Sequence, residues 1–221
     1  MAEYDPSGRL LDVVEPEPDL QPREDPDSLL GRLSLVRSTL DRERAEAPGL
    51  VAELLSLPAQ QGEERLRRER RFHTWGVCEL LFAKSTEAVD PAESGRLAAL
   101  ALAGAERLDP VRHDSSVVED LKAQAWAAAG DARRRRGELA AAEEALRAAA
   151  ACLAQGTGDL LVEARLLEFE AVLRREQGRI GEAAALLKMA AARYRETGEM
   201  QLLDRTLNAR DTMLRQERPI L

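Results

Sequence analysis

AWAAAGDARRRRGELAAAEEALRAAA, residues 125–150, lies in register over LLEFEAVLRREQGRIGEAAALLKMAA, residues 166–191. Gly137 falls on Gly178, Leu139 on Ile180, Ala142 on Ala183, Leu146 on Leu187 and Ala149 on Ala190, at an offset of 41 residues. Gly156 and Gly198 recur at 42. A fixed period of this size marks a repeat architecture in which each unit buries its apolar face against its neighbours. Pro110 and Pro219 have no proline between them, so glycine makes the breaks in that stretch.

Each shared position has a physical task. The glycine ends one helix by taking a left-handed backbone at little cost, and Leu139 or Ile180 opens the apolar face of the next. A small residue at 142 or 183 lets two antiparallel helices approach, and Leu146 or Leu187 fills the groove a turn later. The unit is an αα-hairpin written twice. Upstream, Phe72 to Ser85 followed by Ala98, Leu102, Ala105 and Leu108-Asp109-Pro110 matches a further pair, with Asp90-Pro91 at the break in place of glycine. Ser116-Val117-Val118-Glu119 has capping-box spacing, and Asp159 stands as an N-cap before Leu160. Before the repeats, Leu29, Leu33, Val36 and Leu40 predict a helix ended by Pro48-Gly49, and a short apolar helix follows over 50–57. These two are read as capping helices, with Val51, Leu54, Leu55 and Leu57 buried.

The pattern resembles the tetratricopeptide repeat family. Residues 123–154 match it most fully, with Trp126, Gly130, Gly137, Ala142, Leu146 and Ala149 in the order the family uses. Residues 164–195 keep Gly178, Ala183, Leu187 and Ala190 but carry Leu167 at the Trp site and Ala171 at the first Gly site; the unit ending at Pro110 keeps Ala98, Ala105 and Pro110. The likeness covers about residues 70–216, with a spacing of 41 to 44 in place of the family's usual 34. The extra residues are expected to lengthen the first helix of each pair, as in long-repeat bacterial members. The resemblance implies an all-α, right-handed α-solenoid and a role in protein-protein interaction. The expected organisation is an acidic, Pro-rich, disordered tail at 1–26, capping helices at 27–61, repeats with a closing helix at 62–216, and a short tail at 217–221.

Composition narrows the function. Of 221 residues, 44% are hydrophobic and only 3% aromatic, so Ala and Leu do the packing and helices are favoured over sheets. The longest apolar run, Leu97 to Ala105, is too short to span a membrane, and two cysteines make no disulfide scaffold. With no secretory signal pattern at the start, a cytoplasmic protein is expected. Residues 1–27 hold nine acids and two bases, which accounts for seven of the eight net negative charges. The rest of the chain is almost neutral, so electrostatic recognition must come from local patches.

The chain is poorly supplied with catalytic groups. His73 and His113 are far apart in sequence, and His73 and Cys78 miss the i, i+4 spacing that would stack two metal ligands. His113, in the loop before a helix, reads as a turn or cap residue, Trp75 and Trp126 as core, and Cys78 and Cys152 as small packing residues. No phosphate-cradling loop, nucleophile elbow or His-Glu-x-x-His occurs. The expectation is a protein without catalytic, cofactor or metal sites.

Arg133 to Arg136 stand out, because four consecutive bases favour the negative end of a helix and otherwise make a solvated run. The family resemblance implies that the first helix of each pair lines a concave groove, which places Arg134, Arg135, Arg165 and Arg175 on one basic strip. Such a strip grips carboxylates or phosphates bidentately, so an acidic protein or peptide is the implied partner. The protein's own acidic tail is a candidate occupant, with Leu10, Leu11, Val13 and Val14 available to dock. The sites where the family's chaperone-binding members carry Lys and Asn hold Ala127, Asp131, Glu168 and Val172, so that clamp is absent. Nucleic acid binding through EERLRRERR (63–71) and RRRR (133–136) is the alternative, disfavoured by interleaved acids and scarce aromatics. An apolar face formed by Met200, Leu203, Leu207 and Met213 suggests homodimerisation.

Overall fold

The computed structural model describes residues 26–109 and 111–216. Within them the chain forms nine α-helices and no strand: α1 Pro26–Leu55, α2 Ala59–Arg68, α3 Trp75–Glu87, α4 Pro91–Ala105, α5 Ser115–Arg135, α6 Leu139–Leu153, α7 Leu160–Glu176, α8 Ile180–Thr197 and α9 Met200–Gln216. The tails assigned to 1–26 and 217–221 lie outside the described residues, except that Pro26 opens α1. Two compact units are distinguished, Met1–Thr39 and Leu40–Leu221. The described part of the first is the start of α1, where Leu35 and Val36 are exposed. The second holds the remainder of α1 and all of α2 to α9.

Helices adjacent in sequence pack side by side from α3 to α9, and α3, α5 and α7 also touch in succession. The hairpins close as their glycines require. Gly137, Gly178 and Gly198 have φ of +79°, +75° and +77°. At the first two, the N–H of the residue after the glycine reaches back five residues, from Glu138 to the Arg133 carbonyl at 3.0 Å and from Arg179 to that of Arg174 at 2.8 Å. Glu199 does the same to Tyr194 at 2.9 Å. These are Schellman closures, which satisfy carbonyls that a helix end leaves open.

The small positions are contact points. A Cβ on Gly130 would stand 3.2 Å from Leu146 and 3.3 Å from the Ala142 carbonyl, so α5 and α6 cross there more closely than a side chain at 130 would ordinarily allow. Ala142, Ala183, Ala149 and Ala190 are fully buried, with Leu146 and Leu187 beside them. The long spacing is taken up in α5, of 21 residues against 15 in α6; in the next unit α7 and α8 are nearly equal, at 17 and 18.

Several local features depart from expectation. Pro48 does not end the first helix but lies inside α1, and the second helix is α2, not 50–57. Proline removes one N–H, yet Ala47, Val51 and Leu54 on either side of it are buried in a single core with Phe72, Leu81 and Leu97. Burial across the break outweighs the local preference. The N-cap of α5 is Asp114, whose carboxylate accepts the Ser116 N–H at 2.8 Å, rather than Ser116. Asp159 caps α7 as expected, accepting the Leu161 N–H at 2.7 Å. The predicted open face of α9 points inward: Leu203 and Met213 are buried, Leu207 is half-buried, and Met200 alone is exposed. Among the described residues no helix is long and apolar enough to cross a membrane.

Candidate functional site

The four arginines fall into two pairs with different surroundings. Arg134 and Arg135 sit at the end of α5, and both are largely covered. Arg134 donates to Asp131 Oδ1 at 2.8 Å and also pairs with Glu176 of α7. Arg135 lies 3.2 Å from Asp131 Oδ2 and donates from Nη1 to the carbonyls of Ala88 and Val89, at 3.0 and 3.2 Å. Those carbonyls close α3. Asp131 therefore aims one arginine at each neighbour, and α5 is tied to α3 on one side and α7 on the other. Charge-assisted bonds of this kind, partly shielded from water, are stronger than exposed ion pairs.

Arg165 and Arg175 lie on α7 and are exposed. Neither guanidinium makes a hydrogen bond or ion pair with any described residue. Arg175 occupies the repeat position of Arg134, but Val172 replaces Asp131, and its clamp is lost. Arg133 and Arg174, also equivalent, serve structure: Arg133 donates to the Ala141 carbonyl at 3.1 Å, and Arg174 pairs with Glu143 and Glu170, each at 2.9 Å. Arg174, and after it Gln177, hold the Glu143 carboxyl below its ordinary pKa by hydrogen bonding. The first basic run is likewise committed, since Arg65, Arg67, Arg68 and Arg71 pair with Glu53, Glu63, Glu64 and Glu69.

The seam between first helices is uneven. Where Phe82, Ala127 and Phe169 of α3, α5 and α7 meet beside Arg165, the free space is about 10 Å³. Between α7 and α9 a cavity of about 330 Å³ opens beside Arg175. Glu168 closes the other end of that seam: it accepts the Thr206 hydroxyl at 2.6 Å, Arg205 at 3.1 Å and the buried Tyr194 hydroxyl at 3.0 Å. Burial, and then the Glu168 charge, push the Tyr194 pKa upward. Of the residues at the family's chaperone-clamp sites, Asp131 and Glu168 are thus occupied inside the protein and Ala127 is buried.

Three acids with no evident motif around them organise the packing. Glu43 is buried and accepts the Trp75 N–H at 2.7 Å, with His113 Nε2 3.7 Å away and the His113 ring 6.1 Å from that of Trp75. His113 lies in the turn before α5, its N–H donating to the Asp109 carbonyl at 3.0 Å, and is buried there because α1 and Trp75 cover it. Glu43 shares a stripe with Ala47, Val51 and Leu54, and an acid on such a stripe is itself a sign of an internal partner. Asp120 of α5 accepts the N–H and hydroxyl of Thr157, the latter at 2.5 Å, and anchors the α6–α7 loop. Glu168 is the third. His73 donates to the Leu66 carbonyl at 2.7 Å, which occupies it away from Cys78.

No protein-family profile, curated protein or solved structure matches the chain.

Proposed function

We propose that residues 62–216 form a tetratricopeptide-like right-handed α-solenoid that acts without catalysis, as an adaptor, scaffold or regulatory subunit in the cytoplasm. The face built by α3, α5 and α7 binds a protein or an acidic peptide. The observation that carries this reading is the state of Arg165 and Arg175: both are exposed on α7 without an internal carboxylate, in a protein that pairs most of its other described arginines. Unpaired guanidinium groups on one helix suit planar anions, which they hold bidentately. Arg134 and Arg135 contribute to the same reading by fixing α5 between its neighbours, so that the binding helix is presented on a rigid layer. The tail as an internal occupant belongs to this proposal, its residues lying outside those described.

The nucleic acid alternative has weaker support, because the bases of α2 are spent on neighbouring glutamates. Homodimerisation through α9 loses its main argument with the burial of Leu203 and Met213.

The test is affinity capture from native lysate with the wild type beside an Arg165→Glu, Arg175→Glu variant, after nuclease treatment and at two salt concentrations. A protein retained by the wild type alone is the expected result. Capture that vanishes with nuclease, or recovery of nucleic acid with steep salt dependence, would transfer the assignment to the alternative.

A further inference from the structure

The cavity between α7 and α9 has a chemistry distinct from the rest of the inner face. Its floor is apolar and buried, formed by Ala171, Leu187 and Met213. Its rim is Arg175, Asn208 and Thr212, all exposed. Among the described residues no carboxylate lines it. At about 330 Å³ it falls at the lower end of the range of small-molecule pockets, and it combines the two parts such pockets have, an apolar body and a few convergent polar groups.

The repeat explains why it is open. In the preceding interval Asp131 and Glu176 draw Arg134 into the α5–α7 seam, and the helices meet. In the next, Val172 removes the first of those carboxylates, Glu168 holds α7 to α9 through Thr206 and Arg205, and the helices separate beyond it around Arg175. A guanidinium at the mouth of an apolar cavity, with amide and hydroxyl donors beside it, selects an anion attached to an apolar body.

We propose that this cleft is a binding site for a small monocarboxylate with a compact apolar body: the carboxylate pairs with Arg175 and hydrogen-bonds to Asn208 and Thr212, and the apolar part fills the space over Leu187 and Met213. The site shares Arg175 with the proposed protein-binding face but takes its ligand in the cleft between α7 and α9. It adds a second ligand, of a different class, next to the residue that the two would share.

The experiment is isothermal titration of the purified full chain with phenylacetate, 3-phenylpropionate and octanoate, beside 2-phenylethanol and phenethylamine as neutral and cationic controls. At least one carboxylate binds with a Kd between about 10 µM and 1 mM, the range expected of so small a ligand. The two controls bind at least about tenfold more weakly, as loss of one charge-assisted contact requires. Arg175→Gln weakens the carboxylate about tenfold, Arg175→Lys less, and Arg165→Gln not at all. Ala209→Phe, at an exposed position on the rim, fills the cavity and abolishes binding while circular dichroism and thermal midpoint stay as in the wild type. Binding of the alcohol or amine as tight as that of the acids would overturn the proposal. So would wild-type affinity in Arg175→Gln or in Ala209→Phe, or no saturation by any of the three acids below about 5 mM. Partner capture is read in a separate assay with Arg165→Glu alone, so failure of the cleft and failure of the protein-binding face are told apart.

Discussion

Arg134 and Arg175 occupy the same position in consecutive repeats and have opposite surroundings: the first is held by Asp131 and Glu176, the second has no carboxylate partner among the described residues. A single exchange, Asp131 in one unit for Val172 in the next, accounts for much of the contrast. Arg134→Glu should therefore unfold or strongly weaken the protein, leaving three acids together at the α5–α7 seam. Arg134→Ala should cost about 1–3 kcal/mol in urea denaturation, the range for stranding a partly buried charge partner. Val172→Asp should leave stability within about 0.5 kcal/mol, as exposed pairs do, yet reduce binding of any acidic partner by giving Arg175 an internal one. Unchanged capture by Val172→Asp would count against Arg175 as a contact.

Asp120 and Gly156 form a second dependency. A Cβ on Gly156 would stand 1.9 Å from Asp120 Oδ1, inside any permissible contact, while that carboxylate holds Thr157. Asp120→Ala should lower stability by about 1–3 kcal/mol through the lost hydrogen bonds of a buried loop anchor. Gly156→Ala should also destabilise, but the double variant should lose less than the sum, because the second methyl meets no carboxylate. Additive losses in urea melts would show that the two positions act separately.

Periodic and solitary signals differ in what they make legible. The hairpins of 125–197 are readable from sequence because glycine at a left-handed position and alanine at a helix crossing leave a periodic trace, and Gly137, Gly178, Ala142 and Ala183 do what their spacing implies. Pro48 misleads, since its local effect is certain while the burial of Ala47, Val51 and Leu54 around it depends on a core whose other members, Phe72, Leu81 and Leu97 among them, are distant in sequence. Among the arginines, position is readable but occupancy is not: the commitment of Arg135 to Ala88 and Val89 crosses 47 and 46 residues and carries no repeating signal. Glu43 and Asp120 are detectable as acids within apolar stripes, although nothing in the chain names Trp75 or Thr157 as their partners.

The contact of α1 with α3 is intolerant of a single methyl group. A Cβ on Gly76 would lie 2.3 Å from the Glu43 carbonyl oxygen and 2.8 Å from the Arg44 nitrogen, both backbone atoms that no rotamer change relieves. Gly76→Ala should release residues 40–55 of α1 from α3, with loss of amide hydrogen-exchange protection there and little change in α6 to α9. Glu43→Gln, which keeps an oxygen for the Trp75 N–H, should be far milder than Glu43→Leu, which strands that donor. Uniform loss of protection along the whole chain in Gly76→Ala would refute a local role.

The two cysteines should differ sharply in reactivity. Burial first, and the Glu43 charge second, push the Cys78 thiol up to about 12. Cys152 is only half covered, and burial followed by a hydrogen bond to Glu119 pushes it up to about 11. Thiolate is the reacting form, so at pH 8 native Cys152 should be alkylated by iodoacetamide about 100-fold more slowly than a free thiol, and Cys78 only after denaturation. Below pH 9, the ordinary value for this thiol, Cys78 is protonated in both folded and unfolded chains and contributes nothing to the pH dependence of stability. As pH climbs toward 12 the unfolded chain releases its proton first, the folded state binds more protons than the unfolded, and stability falls. Cys78→Ala should therefore lose some stability at neutral pH, by removing a buried side chain, while showing a shallower decline of thermal midpoint between pH 9 and the alkaline limit. Parallel declines in wild type and variant would assign the alkaline loss to other groups, Tyr194 foremost among them, since its own pKa is raised by burial in the same direction.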